Sequence, residues 1–154
     1  MTHDRDWIAT HIPHALGMCL LDGVVEWDDA HVVCRASGHR SASHPMAADG
    51  RLGIACAIEY AAQAMAVHGA LRAPGRGRPA SGLLVGVRDV RFGVARLDDV
   101  AGDLTVEAER LSGDDANVLY RFAVDAGARR LADGRAVVVL DGGRDARAAG
   151  GAGQ

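Results

Sequence analysis

Apolar runs of strand length, separated by turn residues, lie on either side of a single long apolar stretch. The first two runs, Val24–Trp27 and His31–Ala36, are predicted strands, and the polar pair Asp28-Asp29 between them predicts a turn. The mixed polar and apolar residues before Pro13 predict a short helical turn. Residues 37–50 are rich in Ser, Gly, His and Asp, and they predict a loop.

The long apolar stretch predicts a helix from Leu52 to Leu71, with Asp49 as its N-cap and no proline inside it. Nearly every residue of this helix is Ala, Gly, Leu, Ile, Met or Val. The polar interruptions are Glu59, Tyr60, Gln63 and His68. A helix that is apolar around its whole circumference is buried on every side. The segment Arg72–Pro79, which contains Arg, Gly and Pro, ends the helix.

Beyond the helix the pattern changes to strands separated by Gly and Asp residues. The predicted strands are Leu83–Arg88, Val90–Val94, Asp103–Leu111, Val118–Asp125 and Ala136–Leu140. Hairpins are expected through Asp125-Ala126-Gly127 and through Asp133-Gly134. The tail, residues 144–154, has nothing to bury and is predicted to be disordered, which leaves residues 1–143 as a single domain.

The order of these elements indicates the fold class. Two strands, one long helix and then four or five strands are typical of an α+β fold in which one helix lies on an antiparallel sheet. The many small side chains of the helix would allow a curved sheet to wrap closely around it. The sequence therefore predicts a hotdog fold, an antiparallel sheet wrapped around one long central helix.

Charge and composition exclude several classes of function. The formal net charge is −3, whereas binding to nucleic acid needs a concentrated basic surface. Cys19, Cys34 and Cys56 are odd in number and form no CxxC pair, so we expect reduced thiols and no metal site. The chain shows no secretory leader and no run of about 18 apolar residues, which predicts a cytoplasmic protein without a membrane span. We expect no cofactor.

Glu59 is the residue of the helix that most needs an explanation, because a charged carboxylate in an apolar interior costs several kcal/mol. It is paired, protonated, facing a cavity, or merely meeting Arg or solvent at an open face of the helix. Gln63 lies about 40° around the helix from Glu59 and shares its face. If Glu59 is buried, we expect a raised pKa and no Arg partner. His68 lies about 180° from Glu59 and is expected to be structural.

Four segments of the chain resemble, in the same order, the FabZ-type 3-hydroxyacyl-ACP dehydratases. They are Ile12-Pro13-His14, Leu20-Leu21-Asp22, His44-Pro45 and Glu59-Tyr60-Ala61-Ala62-Gln63-Ala64. The Ala-Val-His-Gly-Ala-Leu end of the helix is more similar to the dehydratase-like hotdog proteins of aryl polyene gene clusters. The resemblance runs from about residue 12 to residue 92. It implies dehydration of a 3-hydroxyacyl group carried on acyl carrier protein.

The resemblance also implies roles for individual residues. His44 becomes the catalytic base and Glu59 the acid, with Gln63 placed to orient one of them. Imidazole titrates near neutrality, and burial raises the pKa of a glutamate, so the two side chains suit base and acid at neutral pH. Backbone N–H groups near Gly50 and Gly53, at the predicted start of the helix, are expected to bind the thioester carbonyl.

The histidine loop departs from the family pattern. Residues 46–53 read Met-Ala-Ala-Asp-Gly-Arg-Leu-Gly, where the family has Gly-x-Pro-x-Met-Pro-Gly. The interval from His44 to Glu59 is 15 residues (59 − 44), one longer than the usual family interval. His39 follows Gly38, as the family histidine often follows Gly, but its interval to Glu59 would be 20 residues (59 − 39). His44 is therefore the preferred assignment.

The resemblance implies acyl carrier protein and a second hotdog subunit as partners, in a homodimer or larger oligomer. We expect His44 of one protomer to face Glu59 of the other across an apolar tunnel. Two other functions fit the sequence: a hotdog thioesterase that uses Glu59 without His44, and a non-catalytic acyl-binding or partner subunit. Arginines after the helix either meet the acidic surface of the carrier protein or are solvated. They are Arg72, Arg76 and Arg78.

Overall fold

The computed structural model describes residues 1–12, 18–73, 82–114 and 116–140. Two α-helices lie in these ranges, α1 (Arg5–His11) and α2 (Ala57–Arg72). The strands are β1 (His3–Asp4), β2 (Gly23–Trp27), β3 (His31–Ala36), β4 (Gly82–Phe92), β5 (Leu104–Gly113), β6 (Asn117–Ala126) and β7 (Arg129–Leu140). The predicted tail, residues 144–154, and the predicted arginines Arg76 and Arg78 lie outside the described residues.

One antiparallel sheet contains all of these strands, in the order β1-β2-β3-β5-β6-β7-β4. The central helix α2 packs against β3, β5 and β6. Ala57, Ala61 and Ala64 of α2 are fully buried, so the sheet approaches the helix closely along this face. The predicted arrangement, a curved antiparallel sheet around one apolar helix, is confirmed.

The segment that contains helix α2 is long and apolar enough to span a membrane, judged by length and composition alone. The segment Ile54–Arg72 has 19 residues and a mean hydropathy of 1.2, so it meets the length and hydropathy expected of a span, contrary to the sequence expectation. Its surroundings explain this composition, because the sheet covers it and 56% of the segment is buried inside the protein. The core helix of a soluble domain has these properties as well.

The start of the helix differs from the prediction. A 3₁₀ turn, Ile54–Cys56, precedes α2, and the N-cap residue Cys56 makes no side-chain capping hydrogen bond. Asp49 was predicted to be the N-cap, which is wrong. It lies in a tight turn with φ 53° and is followed by Gly50 with φ 73°. Reciprocal hydrogen bonds between Ala48 and Arg51 close this turn, so Asp49 ends far from the helix terminus.

The predicted strands Leu83–Arg88 and Val90–Val94 form one strand, β4. The residue between them, Asp89, predicts a turn by its composition but has φ 53° inside a bulge, where the register with β7 shifts between Arg88 and Arg91. The bulge accommodates the unusual backbone angle without ending the strand.

Only one of the two predicted turns around β7 exists. The hairpin through Asp125-Ala126-Gly127 is confirmed, with Gly127 at φ 59° between β6 and β7. The hairpin through Asp133-Gly134 is wrong, because both residues lie inside β7. Gly134 pairs with Phe122, and a Cβ at Gly134 would lie 3.0 Å from Cζ of that ring. This glycine makes room for an aromatic core residue.

Candidate active site

The loop between β3 and α2 meets the helix at the tyrosine that follows Glu59. Tyr60 is fully buried, and its Oη lies 3.0 Å from Nε2 of His44. His44 is 7% exposed, so this contact is shielded from solvent. Burial raises the pKa of the Tyr60 hydroxyl above its usual value, which keeps the hydroxyl protonated. The loop histidine is thereby fixed to the helix at Tyr60, the residue that follows Glu59 in the sequence.

Both ring nitrogens of His44 are engaged in hydrogen bonds. The backbone N–H of Met46 donates to Nδ1 at 3.0 Å, so Nδ1 carries a lone pair. In the neutral ring the proton is then on Nε2, which donates to Tyr60 Oη. Burial, followed by the charge of His39, lowers the pKa of His44 below its ordinary value of 6.5. His44 is therefore a neutral imidazole at pH 7, in one defined tautomer.

Glu59 lies half-buried on α2, beside the amide of Gln63. Gln63 is fully buried, and its Nε2 donates to Oε1 of Glu59 at 3.3 Å. Cys56 lies one turn before Glu59 on the same segment. The pKa of its thiol is raised mainly by burial and secondly by the negative charge of Glu59. The polar stripe expected from the spacing of Glu59 and Gln63 is present as a direct contact.

The amide of Gln63 is also bonded to the segment before β2. The backbone N–H of Leu20 donates to its Oε1 at 2.8 Å, and its Nε2 donates to the carbonyl of Met18 at 2.5 Å. These bonds give Gln63 a positioning role, since it ties the Met18–Leu20 segment to the helix beside Glu59. Contact of Gln63 with substrate stays a prediction.

The two glycines expected near the thioester carbonyl lie in different settings. Gly50 is part of the tight turn before Leu52, whereas Gly53 immediately precedes the 3₁₀ turn that leads into α2. Among the described residues neither amide donates a backbone hydrogen bond, and no atom lies within 4 Å of a Cβ built on either glycine. Gly53 is exposed and forms an isolated antiparallel β-bridge with Arg96, and its role stays a prediction.

A second histidine of the loop is completely enclosed. His39 is 1% exposed and lies in the 3₁₀ turn Gly38–Arg40. Its Nε2 lies 2.8 Å from the carbonyl oxygen of Val100, so Nε2 carries the proton that is donated. The other ring nitrogen, Nδ1, has no hydrogen-bond partner in the described part of the chain.

His68 has the structural role expected from its position opposite Glu59 on the helix. It is fully buried, its Nε2 donates to the carbonyl of Asp28 at 3.0 Å, and its Nδ1 accepts from Tyr120 Oη at 2.8 Å. The neutral ring therefore joins α2 to the β2–β3 turn and to β6. Burial is the main cause that lowers its pKa below the ordinary 6.5.

We expect the protein to lose stability as the pH falls below about 6.5, the ordinary histidine value. The folded-state pKa values of His68 and His44 lie below those of the unfolded chain, so acid protonates the unfolded state first. The stability from these rings is present above the unfolded value and is lost on acidification. Urea unfolding at about pH 8 and about pH 5.5 measures the difference.

The matched variant for this measurement is His68→Gln, which should unfold at lower urea but with a smaller difference between the two pH values. His31 acts in the opposite direction, because its bond to the Asp28 carboxylate raises its pKa. The stabilisation by the His31–Asp28 ion pair is lost as the pH rises. It is small because the Asp28 side chain is 60% exposed to solvent. An unchanged pH dependence in His68→Gln would show that His68 is not the titrating group.

Tyr60 is the site residue to which the sequence assigned no function. It is a polar side chain in an apolar helix, and it directly follows Glu59. This position was the feature of the sequence that could have indicated a role for Tyr60 in the site. Its partner His44 lies 16 residues earlier, and no sequence pattern indicated their contact.

Two further features bear on the chemistry of the protein. Within the described residues no group of three or more His, Cys, Asp or Glu side chains is arranged to hold a metal ion. A depression of about 900 Å³ on the outer face of the sheet has a charged lining, unlike the apolar tunnel expected for an acyl chain. Its charged residues are Asp89, Arg91, Glu107, Glu109, Arg121, Arg130, Asp133 and Arg135.

Comparison with solved structures identifies the fold. The ApeI:P dehydratase heterocomplex from Xenorhabdus doucetiae is 26% identical and superposes with a TM-score of 0.77, over 86% of this chain and 90% of that one. A thioesterase variant from Pseudomonas aeruginosa is 12% identical, with a TM-score of 0.64 over 91% of this chain and 95% of that one. The latter likeness concerns the fold alone. The sheet and central helix are those of the hotdog fold.

Comparison with protein families and curated proteins gives two results. No curated protein matches the chain. The ApeP-like family, described as ApeP dehydratase, matches residues 7–146, which is nearly the whole sequence. The resemblance to the aryl polyene type of dehydratase, which the end of the helix carried, is thus confirmed. The chain belongs to the ApeP-like dehydratase family and is a dehydratase-like hotdog enzyme.

Proposed function

We propose that this enzyme removes water from a 3-hydroxyacyl group carried on acyl carrier protein and produces the trans-2-enoyl thioester. A proton leaves the carbon next to the thioester carbonyl, and the hydroxyl on the following carbon leaves as water. This reaction needs a base near neutral pH and an acid that is protonated before the step. The enzyme acts in the cytoplasm in this proposal.

The observation that carries the proposal is the contact between Gln63 and Glu59 on the buried helix. Gln63 Nε2 holds one carboxylate oxygen at 3.3 Å, while the helix places the same carboxylate one residue from Tyr60 and its partner His44. The carboxyl group is thus oriented by Gln63, and in the proposed dimer it faces the histidine-bearing loop of the other protomer. We assign Glu59 as the acid, and the base to the histidines of that loop, where the family resemblance assigns His44.

Backbone groups complete the proposed site. The N–H of Gly53 lies at the entrance to α2 and donates no backbone hydrogen bond within the described residues, so it is suited to bind the thioester carbonyl. Negative charge that develops on this oxygen is favoured near the start of a helix. Gly50, in the preceding turn, lies in the same loop and gives the acyl group room to approach.

The test is conversion of 3-hydroxyacyl thioesters on acyl carrier protein, followed by mass spectrometry for the loss of one water. Release of free acid instead of enoyl thioester would indicate a thioesterase. This alternative is tested because thioesterases with the same fold are among the similar structures. A His44→Ala variant separates the two activities, because hydrolysis directed by Glu59 does not need His44. No conversion of either kind, with a hotdog partner subunit present, would favour a non-catalytic subunit.

We infer that the active form contains at least two hotdog subunits. The ApeI:P neighbour is a heterocomplex, so a related hotdog subunit is a possible partner as well as a second copy of this chain. The edge strand β4 pairs with β7 on one side and exposes Val87 and Phe92, of which 37% and 46% of the surface is accessible. Edge-to-edge pairing through β4 would cover these residues and the unpaired backbone groups.

Sedimentation velocity at micromolar concentration should show a dimer or larger species for the wild type. A Phe92→Asp change on the exposed strand edge should shift the distribution toward monomer, because a buried charge opposes the pairing. The control is Val25→Asp, which changes an exposed residue of β2, a strand remote from β4 in the sheet order. A stable wild-type monomer, with and without a hotdog partner, would contradict the proposed assembly.

Acyl carrier protein, the proposed partner, presents an acidic surface, and of the three arginines expected to meet it only Arg72 lies within the described residues, as the last residue of α2. Its Nε lies 3.0 Å from Asp29 Oδ1, and its side chain is 30% exposed. Arg72 is therefore already engaged by the β2–β3 turn, which makes it a weaker docking residue than a solvated arginine.

A further inference from the structure

The entrance to α2 is joined to a second segment of the chain, residues 95–98, by an isolated antiparallel bridge between Gly53 and Arg96. The two backbone hydrogen bonds of this bridge are made by the residues on either side of Gly53. The N–H of Ile54 donates at 3.1 Å, and the carbonyl of Leu52 accepts at 2.7 Å. Gly53 and Arg96 are therefore a non-hydrogen-bonded pair, in which the backbone polar groups of both residues point away from the facing segment.

The remaining backbone groups around Gly53 can be accounted for one by one. The carbonyl of Gly53 accepts the N–H of Cys56 at 3.1 Å, and the N–H of Leu52 donates to Oδ1 of Asp98 at 2.9 Å. Within the described residues the N–H of Gly53 donates to no acceptor. Gly53 is exposed, so this bridge leaves one unused donor on the side that faces away from residues 95–98.

The carboxylate of Asp98 holds the residue that precedes Gly53 and the residue that faces it. Its Oδ1 accepts the N–H of Leu52 and Nε–H of Arg96, each at 2.9 Å. Its Oδ2 accepts a second hydrogen bond from the guanidinium, through Nη2 of Arg96. Since Arg96 is the bridge partner of Gly53, one carboxylate ties together both sides of the entrance to α2.

Charge and burial both keep this arrangement fixed. The Arg96 guanidinium, and after it the Leu52 N–H, lowers the pKa of the Asp98 carboxyl well below its usual range, so the carboxylate stays charged near neutral pH. The side chains of Leu52 and Leu97 are fully buried, which anchors the backbone of both segments in the core. The backbone is therefore held on both sides of Gly53, and the direction of its N–H is set before any ligand arrives.

We propose that Asp98 is a positioning residue of the dehydration: by holding Leu52 and Arg96, it directs the Gly53 N–H toward the thioester carbonyl of the substrate. This inference rests on the dehydration and on the role of Gly53 proposed above. When the base takes the proton from the carbon next to this carbonyl, negative charge develops on the carbonyl oxygen. A donor that is fixed in advance stabilises this charge without any rearrangement during the reaction. Asp98 acts only through the backbone and contacts no reacting atom.

The donor itself is tested by removing it. Gly53 has φ −67°, the value that proline adopts, and among the described residues outside its chain neighbours no atom lies within 4 Å of a Cβ built on it. Gly53→Pro therefore deletes the N–H and leaves the backbone conformation in place. It should lower kcat in the dehydration assay by about 10²–10³-fold, the usual effect of losing one donor to a developing oxyanion. Gly53→Ala keeps the N–H, and its loss should be smaller by at least about 10-fold.

The positioning role is tested with two changes of Asp98, with the hotdog partner present if the wild type needs one. Asp98→Leu has a similar size but cannot accept the Leu52 N–H, and it should lower kcat by about 10–10²-fold with little change in KM. Asp98→Asn keeps an oxygen acceptor for the same N–H and should recover most of the rate. In the Gly53→Pro background, Asp98→Leu should have little further effect, because the donor that it positions is already absent. A merely structural role of Asp98 would not produce this dependence.

Thermal unfolding of each variant shows whether a lost rate reflects a lost fold. If Asp98→Leu does not fold, Arg96→Gln takes its place, since 38% of the Arg96 side chain is exposed and its removal frees one side of the carboxylate. Arg96→Gln should lower kcat in the wild-type background and have little further effect in Gly53→Pro.

The proposal is overturned if the wild type is active and either Asp98→Leu or Gly53→Pro keeps its kcat. It is also overturned if the effects of these two changes multiply in the double variant, which would mean that Asp98 acts on the stability of the fold alone. A wild type that does not dehydrate the substrate overturns the proposed function itself.

Discussion

Replacing Glu59 with Gln should lower the dehydration rate by about 10²–10⁴-fold while the protein stays folded. The amide of Gln cannot supply a proton to the leaving hydroxyl, whereas its size and shape are close to those of Glu. The contact with Gln63 can persist, because Nε2 of Gln63 can donate to the new amide oxygen as it does to Glu59 Oε1. The rate is measured with the 3-hydroxyacyl carrier-protein substrate and the folded fraction by circular dichroism.

The control for this variant is Glu26→Gln, which removes a carboxylate from exposed strand β2, where 67% of the side chain is accessible. It should retain the wild-type rate. If Glu59→Gln also retains full activity, the carboxyl group is not the acid. Glu59 would then be a residue without a catalytic role that meets Arg or solvent at an open face of the helix. Hydrolysis that survives in Glu59→Gln would likewise exclude the thioesterase in which Glu59 activates water.

Replacing Gln63 with Leu should lower the free energy of unfolding by about 2–5 kcal/mol, because it leaves buried polar groups without partners. The groups that lose their bonds are the Leu20 N–H and the Met18 carbonyl, which Gln63 contacts at 2.8 and 2.5 Å. Leu has a similar volume, so the loss reflects hydrogen bonding more than cavity formation. Urea denaturation followed by circular dichroism measures the change.

The same variant should reduce activity beyond its effect on the folded fraction, because Glu59 loses the amide that orients it. Met65→Leu is the matched control, since Met65 is buried on the same helix and the substitution conserves volume. It should cost less than about 1.5 kcal/mol and leave the rate unchanged. If Gln63→Leu is as stable as Met65→Leu, the two backbone groups find water or other partners, and Gln63 does not anchor the segment.

The sequence by itself determined several of the elements and the fold class. The strands β2 and β3 and the Gly127 hairpin follow from local alternation and turn residues, and these signals act over a few positions. The helix was apolar on all sides, which required a surrounding sheet and so indicated the fold class. The spacing of Glu59 and Gln63 placed both on one face, because a helix repeats every 3.6 residues.

Other local signals failed because tertiary packing overrode them. Asp89 and the Asp133-Gly134 pair have the composition of turns, yet all three residues lie within strands. Pairing of β4 with β7 on both sides of the bulge and the close approach of Phe122 to Gly134 determined these conformations. The contacts that decide the outcome come from distant parts of the chain, so local composition does not contain them.

The state of each site histidine was decided only by the tertiary structure. His39 meets a carbonyl 61 residues away, and His44 meets a tyrosine 16 residues away. The sequence ranked the two by their interval to Glu59, but an interval cannot show which ring nitrogen retains a lone pair. That property depends on which donors and acceptors the folded chain brings to each nitrogen, because a neutral imidazole donates from one nitrogen and accepts at the other.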